Sequence, residues 1–277
     1  MNIDLFTIDF MMLTKPKILE IAGKRGKILS KDFVSLFGVS RQYVSVLIAQ
    51  LVETKQLIKI GSTKNTFYVL PEYAKVHPKV LPDRFFKKLK NLNLEEHEVF
   101  VKIKEKLYRL SELKENIQNV FNFAFSEMLN NAIEHSQSKN ISVEVSVNNK
   151  EVWFIVNDTG VGVFRNVVRK KRLKSELEAI RDILKGKTTT IPRSHSGQGI
   201  FFTSKASDVF VLDSFGYQLT INNKTDDVTV CRVSPSKRGT RVIFRLKIAS
   251  NKHLSDIFKK YTNLKDDSDY GFDKTEI

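Results

Sequence analysis

The chain has 277 residues, which is enough for two domains with separate hydrophobic cores. Its 46 Lys and Arg exceed its 31 Asp and Glu, giving a formal charge of +15 that predicts an acidic partner. The single cysteine, Cys231, excludes an internal disulfide and a cysteine-rich zinc module. No stretch reaches the roughly 18 consecutive apolar residues of a membrane-spanning helix, and Asp4 and Asp9 lie where a signal peptide would be basic. We therefore expect a cytoplasmic protein with no membrane partner.

The basic excess is concentrated near the N-terminus, where residues 1–90 contain 16 Lys or Arg and 7 Asp or Glu. Charge alone does not decide between a solvated basic surface and a nucleic-acid site. Apolar residues at helical spacing in this region predict short helices over 15–22, 30–37 and 40–51. Ser30 and Ser40 are candidate N-caps, and Gly38 is a candidate left-handed stop before the third helix.

Polar side chains at the start of the third predicted helix are of the kinds that reach phosphates and base edges. These side chains are Ser40, Arg41, Gln42, Tyr43 and Ser45. Two strands, over 57–60 and 66–70, are predicted next with a polar loop between them, which puts Lys59 and Lys64 on a hairpin. The stretch 15–70 resembles the winged helix-turn-helix of many bacterial regulators. The resemblance implies a DNA-binding domain over 1–70 that uses these seven residues, and a winged helix for protein docking is the alternative.

Prolines separate this domain from the rest of the chain. Pro71, Pro78 and Pro82 interrupt a stretch without sustained periodicity, so we predict a linker over 71–94. Helices are predicted over 95–110 and 113–135. His97, on the first of these helices, invites comparison with the phosphoacceptor of sensor kinases. Its flanking residues do not follow their pattern, so we interpret His97 as an exposed polar residue.

The second of these helices carries a carboxylate and a carboxamide one turn apart. Glu127 and Asn131 differ by about 40° around a helix and share one face, and Asn130 lies beside them. The Asn131 carbonyl is a suitable ligand for phosphate-bound Mg²⁺. Glu127 is suited to orient or deprotonate an attacking water or hydroxyl. Such a pair is usually just solvated, so the prediction depends on the segments that follow.

Three glycine-containing segments follow this helix. A strand predicted over 152–157 runs into DTGVG at 158–162, an aspartate at a strand end followed by two glycines. The sequence SGQG at 196–199 precedes an apolar helix, where successive backbone N–H groups can bind an oxyanion. The sequence RGT at 238–240 enters a last predicted strand, over 241–248.

In this order, the helix and the three segments resemble the GHKL ATPases. The resemblance implies an α+β protein whose residues 95–250 form a GHKL (Bergerat) α/β sandwich, with a mixed sheet covered by helices on one face. It implies ATP and Mg²⁺ as cofactors, with Glu127 as the catalytic residue, Asn131 as the Mg²⁺ ligand and Asp158 as the acceptor for the adenine amino group. The other nucleotide-binding residues that it implies are Asn130, Gly160, Gly162, His195, Ser196, Gly197, Gln198, Gly199, Ile200 and Thr240.

The segment before SGQG is basic and is expected to form a lid over the triphosphate. Gly186-Lys187-Thr188 looks like the end of a Walker A loop, but the earlier glycine of that motif would fall at Arg181. Residues 175–184 also predict a helix where a P-loop needs a strand. We therefore assign Lys187 and Thr188 to a nucleotide-contacting lid.

Glu127 stands where histidine kinases usually carry a histidine or another residue. Anti-sigma-factor kinases, gyrase B-type topoisomerases, heat-shock chaperones and mismatch-repair ATPases have glutamate there, so the resemblance favours hydrolysis or transfer to a hydroxyl. The sequences EMLNNAIEHS, KGKTTT and HSGQGIFFTSK are similar to a group of bacterial ATPases with an N-terminal winged helix and a C-terminal STAS-like domain. We interpret residues 251–277 as a tail that leads toward such a domain and expect the chain to be truncated.

Three functions are compatible with these features. The leading hypothesis is a nucleotide-controlled regulator in which ATP changes how the winged helix binds DNA. The alternative is a Ser/Thr protein kinase of the anti-sigma-factor type that uses the winged helix to dock a protein partner. The third is a module that holds ATP with scarcely any turnover.

Overall fold

The computed structural model describes residues 12–61, 66–186 and 198–262. The chain divides into two compact units, Met1–Pro82 and Asp83–Ile277, and each has its own hydrophobic core. None of the helices in the described ranges has the length and apolar composition needed to cross a bilayer.

The first unit combines helices with a small sheet. In chain order its described elements are α1 (Lys15–Arg25), β1 (Lys27–Ile28), α2 (Ser30–Phe37), α3 (Arg41–Glu53), β2 (Ile58–Ile60), β3 (Phe67–Val69), α4 (Pro71–Val76) and a 3₁₀ turn (Pro78–Val80). The strands lie in the order β1-β3-β2, and each neighbouring pair is antiparallel. The helices and the strand pair predicted for residues 15–70 are present, together with β1, which was not predicted. The core of this unit contains Leu13, Ile18, Ala22, Ile28, Phe33, Val44, Ile48, Leu51 and Leu57.

The turn between α2 and α3 follows from its local sequence. Gly38 has a φ of 65° and donates its N–H to the Val34 carbonyl at 3.1 Å, which ends α2 in a conformation that glycine adopts without strain. The Ser40 hydroxyl accepts a hydrogen bond from the Tyr43 N–H at 3.1 Å and caps α3.

Capping at the start of α2 differs from the prediction. Ser30 is the first helical residue of α2 and not its N-cap. Asp32 supplies the cap, because its carboxylate accepts a hydrogen bond from the Leu29 N–H at 2.9 Å.

The second unit contains a large sheet and helices. Its described strands are β4 (Arg84–Lys90), β5 (Asn140–Val147), β6 (Glu151–Asp158), β7 (Val209–Ser214), β8 (Tyr217–Asn222), β9 (Asp227–Arg232) and β10 (Thr240–Lys247). Its described helices are α5 (Glu96–Lys106), α6 (Tyr108–Ser111), α7 (Glu115–His135), α8 (Val163–Lys171), α9 (Glu176–Leu184), α10 (Gly199–Ala206) and α11 (Leu254–Thr262).

Within the described residues, every neighbouring strand pair of this sheet is antiparallel, in the order β4-β5-β6-β10-β7-β8-β9. The prediction of a mixed sheet is therefore wrong. The strands β6 and β7 do run in the same direction, because the segment of α8, α9 and α10 crosses over between them. However, β10 lies between the two strands and pairs antiparallel with both, so no parallel strands are neighbours in this part of the chain.

Helices cover one face of the sheet. Along β6, Val152, Phe154 and Val156 are buried and alternate with half-buried residues, the pattern of a strand covered on one face. The long helix α7 packs on the buried face, where Phe121 and Phe125 contact Phe154 edge to face, with ring centroids 5.7 and 5.5 Å apart. This packing fixes α7 against β6. The candidate site begins at the end of β6.

Residues 71–94, predicted as a linker, contain regular structure. Helix α4 and the 3₁₀ turn belong to the first unit, and β4 is an edge strand of the sheet in the second. Phe85 and Leu89 of β4 are buried, while its lysines are exposed. Charged side chains on an edge strand hinder its pairing with a strand of another molecule. These lysines obscure the apolar alternation that identifies a strand, which explains the error.

Part of the predicted tail over 251–277 is the helix α11, and residues after 262 lie outside the described ranges. The Phe258 ring of α11 contacts Phe123 of α7 at 5.3 Å and Phe202 of α10 at 4.7 Å. Asn116, near the start of α7, donates to two backbone carbonyls just before α11. The described part of this segment therefore packs on the second unit, and the prediction that the tail leads toward a further domain stays a prediction.

Candidate functional site

One side of α7 carries three residues that the sequence analysis singled out. Glu127, Asn130 and Asn131 are half-buried, whereas Met128 and Leu129 are buried in the core. The carboxylate and the carboxamides therefore share a side of the helix that is partly open to solvent.

Asp158 ends β6 with only 3% of its surface exposed. Its Oδ1 accepts two backbone hydrogen bonds, from the Gly160 N–H at 2.8 Å and from the Thr240 N–H at 3.3 Å. Burial raises the pKa of this carboxyl above its usual value of 3.8, and the two amides and the Lys237 ammonium partly offset that rise. Asp158 is thus held in one orientation as a buried carboxyl group that a further hydrogen-bond donor would stabilise as the anion.

The turn after Asp158 contacts the C-terminal end of α7. The Val161 N–H donates to the Ser136 carbonyl at 2.8 Å. A Cβ on Gly160 would lie 1.8 Å from the same carbonyl oxygen, so the approach of the two backbones requires glycine. The strand end and the helix end are therefore fixed to each other by backbone contacts.

Thr240 connects three elements at this end of the sheet. Besides the bond from its N–H to Asp158, its hydroxyl accepts from the Val163 N–H at 3.0 Å, at the start of α8. Gly162 immediately precedes α8, and the Phe215 ring lies against it. We name the residues that the structure brings together here the Asp158 cluster: Asp158, Gly160, Gly162 and Thr240.

The N-terminus of α10 lies against α7. A Cβ on Gly199 would lie 1.9 Å from Oε2 of Glu127, so the carboxylate occupies the space that a larger residue would need. Gln198 is buried, and its Oε1 accepts no hydrogen bond from the described residues. Ile200, next in the helix, is half-buried. We name Glu127, Gln198, Gly199 and Ile200 the Glu127 cluster.

Both clusters contact α7, at different heights along its axis. Gly199 meets the helix at Glu127, and the Gly160 turn meets it at Ser136, nine residues later. At a rise of 1.5 Å per residue, these contacts are about 14 Å apart along the helix axis. Asn131 belongs to the turns between them. One helix therefore sets the distance between a buried carboxylate and a glycine-containing helix start.

Several predicted residues lie outside the described ranges, and their roles stay predictions. In the second unit these are Lys187, Thr188, His195, Ser196 and Gly197. In the first unit, Lys64 of the predicted hairpin loop also lies outside them.

Two side chains predicted to contact DNA take part in local structure. Ser40 caps α3, and the Tyr43 hydroxyl donates to the Leu13 carbonyl at 3.0 Å. The other described side chains of that prediction are exposed, namely Arg41, Gln42, Ser45 and Lys59. Arg41 is the one cation in the sequence of α3.

Lys237 belongs to the surroundings of Asp158 and was not predicted. Its Nζ donates to the Asp158 backbone carbonyl at 2.6 Å. Burial lowers the pKa of the Lys237 ammonium, and the carboxylates of Asp158 and Asp213 oppose that change. No local sequence pattern points to it, because its contact with Asp158 depends on the pairing of β10 with β6.

The turn between β7 and β8 also contacts the Asp158 cluster. Phe215 and Gly216 form a two-residue hairpin turn with φ values of 45° and 84°, the conformation that matches the twist of antiparallel strands. The Arg165 guanidinium stacks on the Phe215 ring at 3.7 Å, on the side of the cluster where α8 begins. Neither side chain was predicted, because their meeting depends on where the hairpin lies in the sheet.

In the described ranges, no group of three or more His, Cys, Asp or Glu side chains is arranged to hold a metal ion. His97 is exposed on α5.

Residues 118–250 match a family model described as histidine kinase-, DNA gyrase B-, and HSP90-like ATPase. The match begins within α7 and ends after β10, so it includes both clusters. An ATPase domain of this family is therefore found at these residues. The comparison with curated proteins found no match.

Proposed function

We propose that the second unit binds and turns over magnesium-ATP, and that the first unit is a DNA-binding winged helix whose affinity for DNA depends on the bound nucleotide. The ATP part rests on one observation: the Asp158 and Glu127 clusters contact the same helix, within residues that match an ATPase family. When ATP is bound, it supplies the γ-phosphoryl group for the reaction.

The chemistry of the Asp158 cluster suits an adenine base. Two backbone N–H groups occupy Oδ1, which leaves Oδ2 to accept from the exocyclic amino group of adenine. Hydrogen bonds to a charged acceptor are stronger than those between neutral groups, and a buried position strengthens them further. Guanine presents a carbonyl oxygen at the equivalent position and would be repelled by the carboxylate.

The chemistry of the Glu127 cluster suits a phosphate group and its reaction. The first N–H groups of α10 have no partners within the helix, and the helix dipole adds positive potential at that end. We assign the phosphate-binding role to this end, which begins at Gly199. The Glu127 carboxylate lies against Gly199, so it is our candidate for orienting or deprotonating the attacking water or hydroxyl.

Asn131 is the residue that would hold Mg²⁺, through its carboxamide oxygen. Magnesium in phosphate sites keeps several water and phosphate ligands, so one protein oxygen is sufficient to anchor it. This assignment requires the metal to arrive together with the nucleotide.

The first unit supports DNA binding through its charge and its order of elements. Residues 12–61 and 66–82 contain 11 Lys or Arg and 4 Asp or Glu. The order of α2, tight turn, α3 and the antiparallel pair β2 and β3 supports the proposal of a winged helix, in which the start of α3 would enter the major groove. That start carries Arg41 and Gln42. A single cation on α3 is the observation that favours the alternative, a winged helix that docks a protein partner.

Calorimetric titration of the full chain with ATP and Mg²⁺ tests the nucleotide site. We expect a saturable heat with ATP and a much weaker one with GTP. The absence of any heat with ATP would reject the site.

Two further measurements separate the candidate functions. DNA affinity measured with and without ATP should differ, and equal values would reject nucleotide control. Label from γ-labelled ATP should appear as free phosphate. Its appearance on a Ser or Thr of a partner protein would instead support the kinase alternative.

A further inference from the structure

The helical hairpin of α8 and α9 concentrates positive charge that the proposed function does not use. The unit over 83–277 contains 34 Lys or Arg and 25 Asp or Glu. Residues 163–186, which we name the basic hairpin, contain 8 of these Lys or Arg residues and 3 of these Asp or Glu residues. More than half of the positive excess of the unit therefore comes from this hairpin.

The acidic side chains of the basic hairpin are engaged in local contacts. Asp182 pairs with Lys171 at 2.6 Å, and Glu176 pairs with Arg165 at 3.5 Å. The Glu178 carboxylate accepts a hydrogen bond from a backbone N–H at 2.8 Å. These three carboxylates are therefore engaged within the hairpin and do not neutralise its other exposed cations.

The exposed cations extend over both helices and the turn between them. Apart from Arg165, which pairs with Glu176, they are Arg169, Lys170, Arg172, Lys174, Arg181 and Lys185. In the described part of the chain, the side chains of Lys170, Arg172 and Lys174 form no hydrogen bond or ion pair. The negative ends of the α8 and α9 dipoles attract the cations in their last turns and C-caps, but the partial charge of a helix end balances only part of the charge of several cations. The remainder is a surface of like charge that an anionic partner would stabilise.

The composition of this surface favours a phosphate backbone over a protein. Protein interfaces have an apolar centre, whereas interfaces with nucleic acid are more polar and much more positively charged. In the described hairpin, Leu177 is the one large apolar side chain that is clearly exposed, at 51%. A duplex presents closely spaced negative charges along its whole length, which suits several separate cations.

We propose that the basic hairpin binds the phosphate backbone of double-stranded DNA, at a surface separate from the first unit. Such contacts carry no direct information about base sequence, so we expect this surface to bind any duplex. Gly186, at the end of the hairpin, lies against Phe201 of α10. Bound DNA would therefore lie near the helix that begins at Gly199. The proposal does not rest on ATP turnover or on the winged helix.

The salt dependence of duplex binding by the full chain tests the proposal. The variant Lys170→Gln/Arg172→Gln/Lys174→Gln removes three outer cations and keeps Arg169, which donates to the buried Asn166 at 3.1 Å. Each lost phosphate contact lowers the slope of log affinity against log salt by about 0.9, so the slope should fall in magnitude by about 2 to 3. Fluorescence anisotropy with a short random-sequence duplex, over about 50–200 mM salt, gives this slope.

A matched control removes the same charge elsewhere. The variant Lys87→Gln/Lys88→Gln/Lys90→Gln changes exposed positions of β4 and should leave the slope unchanged. An unchanged slope in the hairpin variant, or an equal fall in both variants, would overturn the proposal. Binding of polyglutamate in place of the duplex would also overturn it, because the surface would then be assigned to an acidic protein. Thermal unfolding checks that both variants are folded, and the ATP titration of the wild type reports separately on the nucleotide site.

Discussion

The Asp158 cluster and the Glu127 cluster are held by different kinds of contact. Around Asp158, two backbone N–H groups bind Oδ1, and the Gly160 turn contacts a helix carbonyl. Around Glu127, a half-buried side chain lies against a glycine at the start of α10. Packed backbone tolerates little displacement, whereas the end of a glutamate side chain can rotate. Changes in the first cluster should therefore act on affinity and stability, and changes in the second on turnover.

The largest effect is expected from Glu127→Gln. Glutamine keeps the size of the side chain against Gly199 but cannot accept a proton, so phosphate release should fall about 10²- to 10⁴-fold while ATP affinity is nearly unchanged. Steady-state phosphate release and calorimetric titration measure the two quantities. Glu134→Gln, at an exposed position of the same helix, is the control and should leave turnover unchanged. Full turnover in Glu127→Gln would reject its catalytic assignment.

Asp158→Asn should weaken ATP binding about 10- to 100-fold, the equivalent of one lost hydrogen bond to a charged group. Asparagine keeps an oxygen for the two backbone N–H groups, but its amide N–H₂ would face the amino group of adenine. Calorimetric titration measures the affinity. Asp213→Asn is the control, because Asp213 is also buried, at 2% exposure, and pairs with Arg241 at the neighbouring strand end. Equal losses in both variants would show a general effect of buried aspartates.

Replacing Gly160 or Gly199 with alanine compares the Asp158 cluster and the Glu127 cluster directly. In Gly160→Ala, the Cβ would meet the Ser136 carbonyl, so we expect a loss of about 1–3 kcal/mol in the free energy of unfolding and about 2–4 °C in Tm per kcal/mol. In Gly199→Ala, the nearest atoms to the Cβ would belong to the Glu127 side chain, whose rotation we expect to relieve the contact. Its Tm should change little and its phosphate release should fall. An equal fall in Tm for both would remove the distinction.

The smallest expected effect is on the pH dependence of stability. Burial raises the folded-state pKa of Asp158, so the folded protein binds this proton more tightly than the unfolded chain does. The stabilisation that comes from this bound proton is complete below the usual pKa of 3.8 and is lost as the pH rises through the raised pKa of the folded protein. Asp158→Asn should therefore unfold at a higher temperature than the wild type at neutral pH.

Thermal unfolding of the wild type and Asp158→Asn across the acidic range measures this effect. The advantage of the variant should shrink as the pH falls through the raised pKa of Asp158, because the wild-type carboxyl then becomes protonated. An advantage that does not vary with pH would show that the buried charge is not its cause.

Features with a local pattern could be predicted from the sequence. Periodicity predicts a helix over 113–135, and α7 spans Glu115–His135. The apolar run over 152–157 predicts a strand, and β6 spans Glu151–Asp158. The positions of Glu127 and Asp158 followed from these two elements, because one is on a helix face and the other at a strand end.

Features that depend on distant pairing could not be predicted. The place of β10 between β6 and β7 rests on pairs such as Arg241 with Asn157, and no local pattern encodes it. That pairing makes the sheet antiparallel and also brings Thr240 to Asp158. Lys237 reaches the Asp158 carbonyl for the same reason, since it lies just before β10.

The position of α11 bears on where the ATPase domain can be cut. The family match ends at residue 250, before α11 begins at Leu254. A fragment that stopped there would uncover Phe123 and Phe202, which lie on the two helices that bring Glu127 and Gly199 together. Newly exposed aromatic side chains of this kind promote aggregation. An excised domain intended for enzymology should therefore extend at least to Thr262.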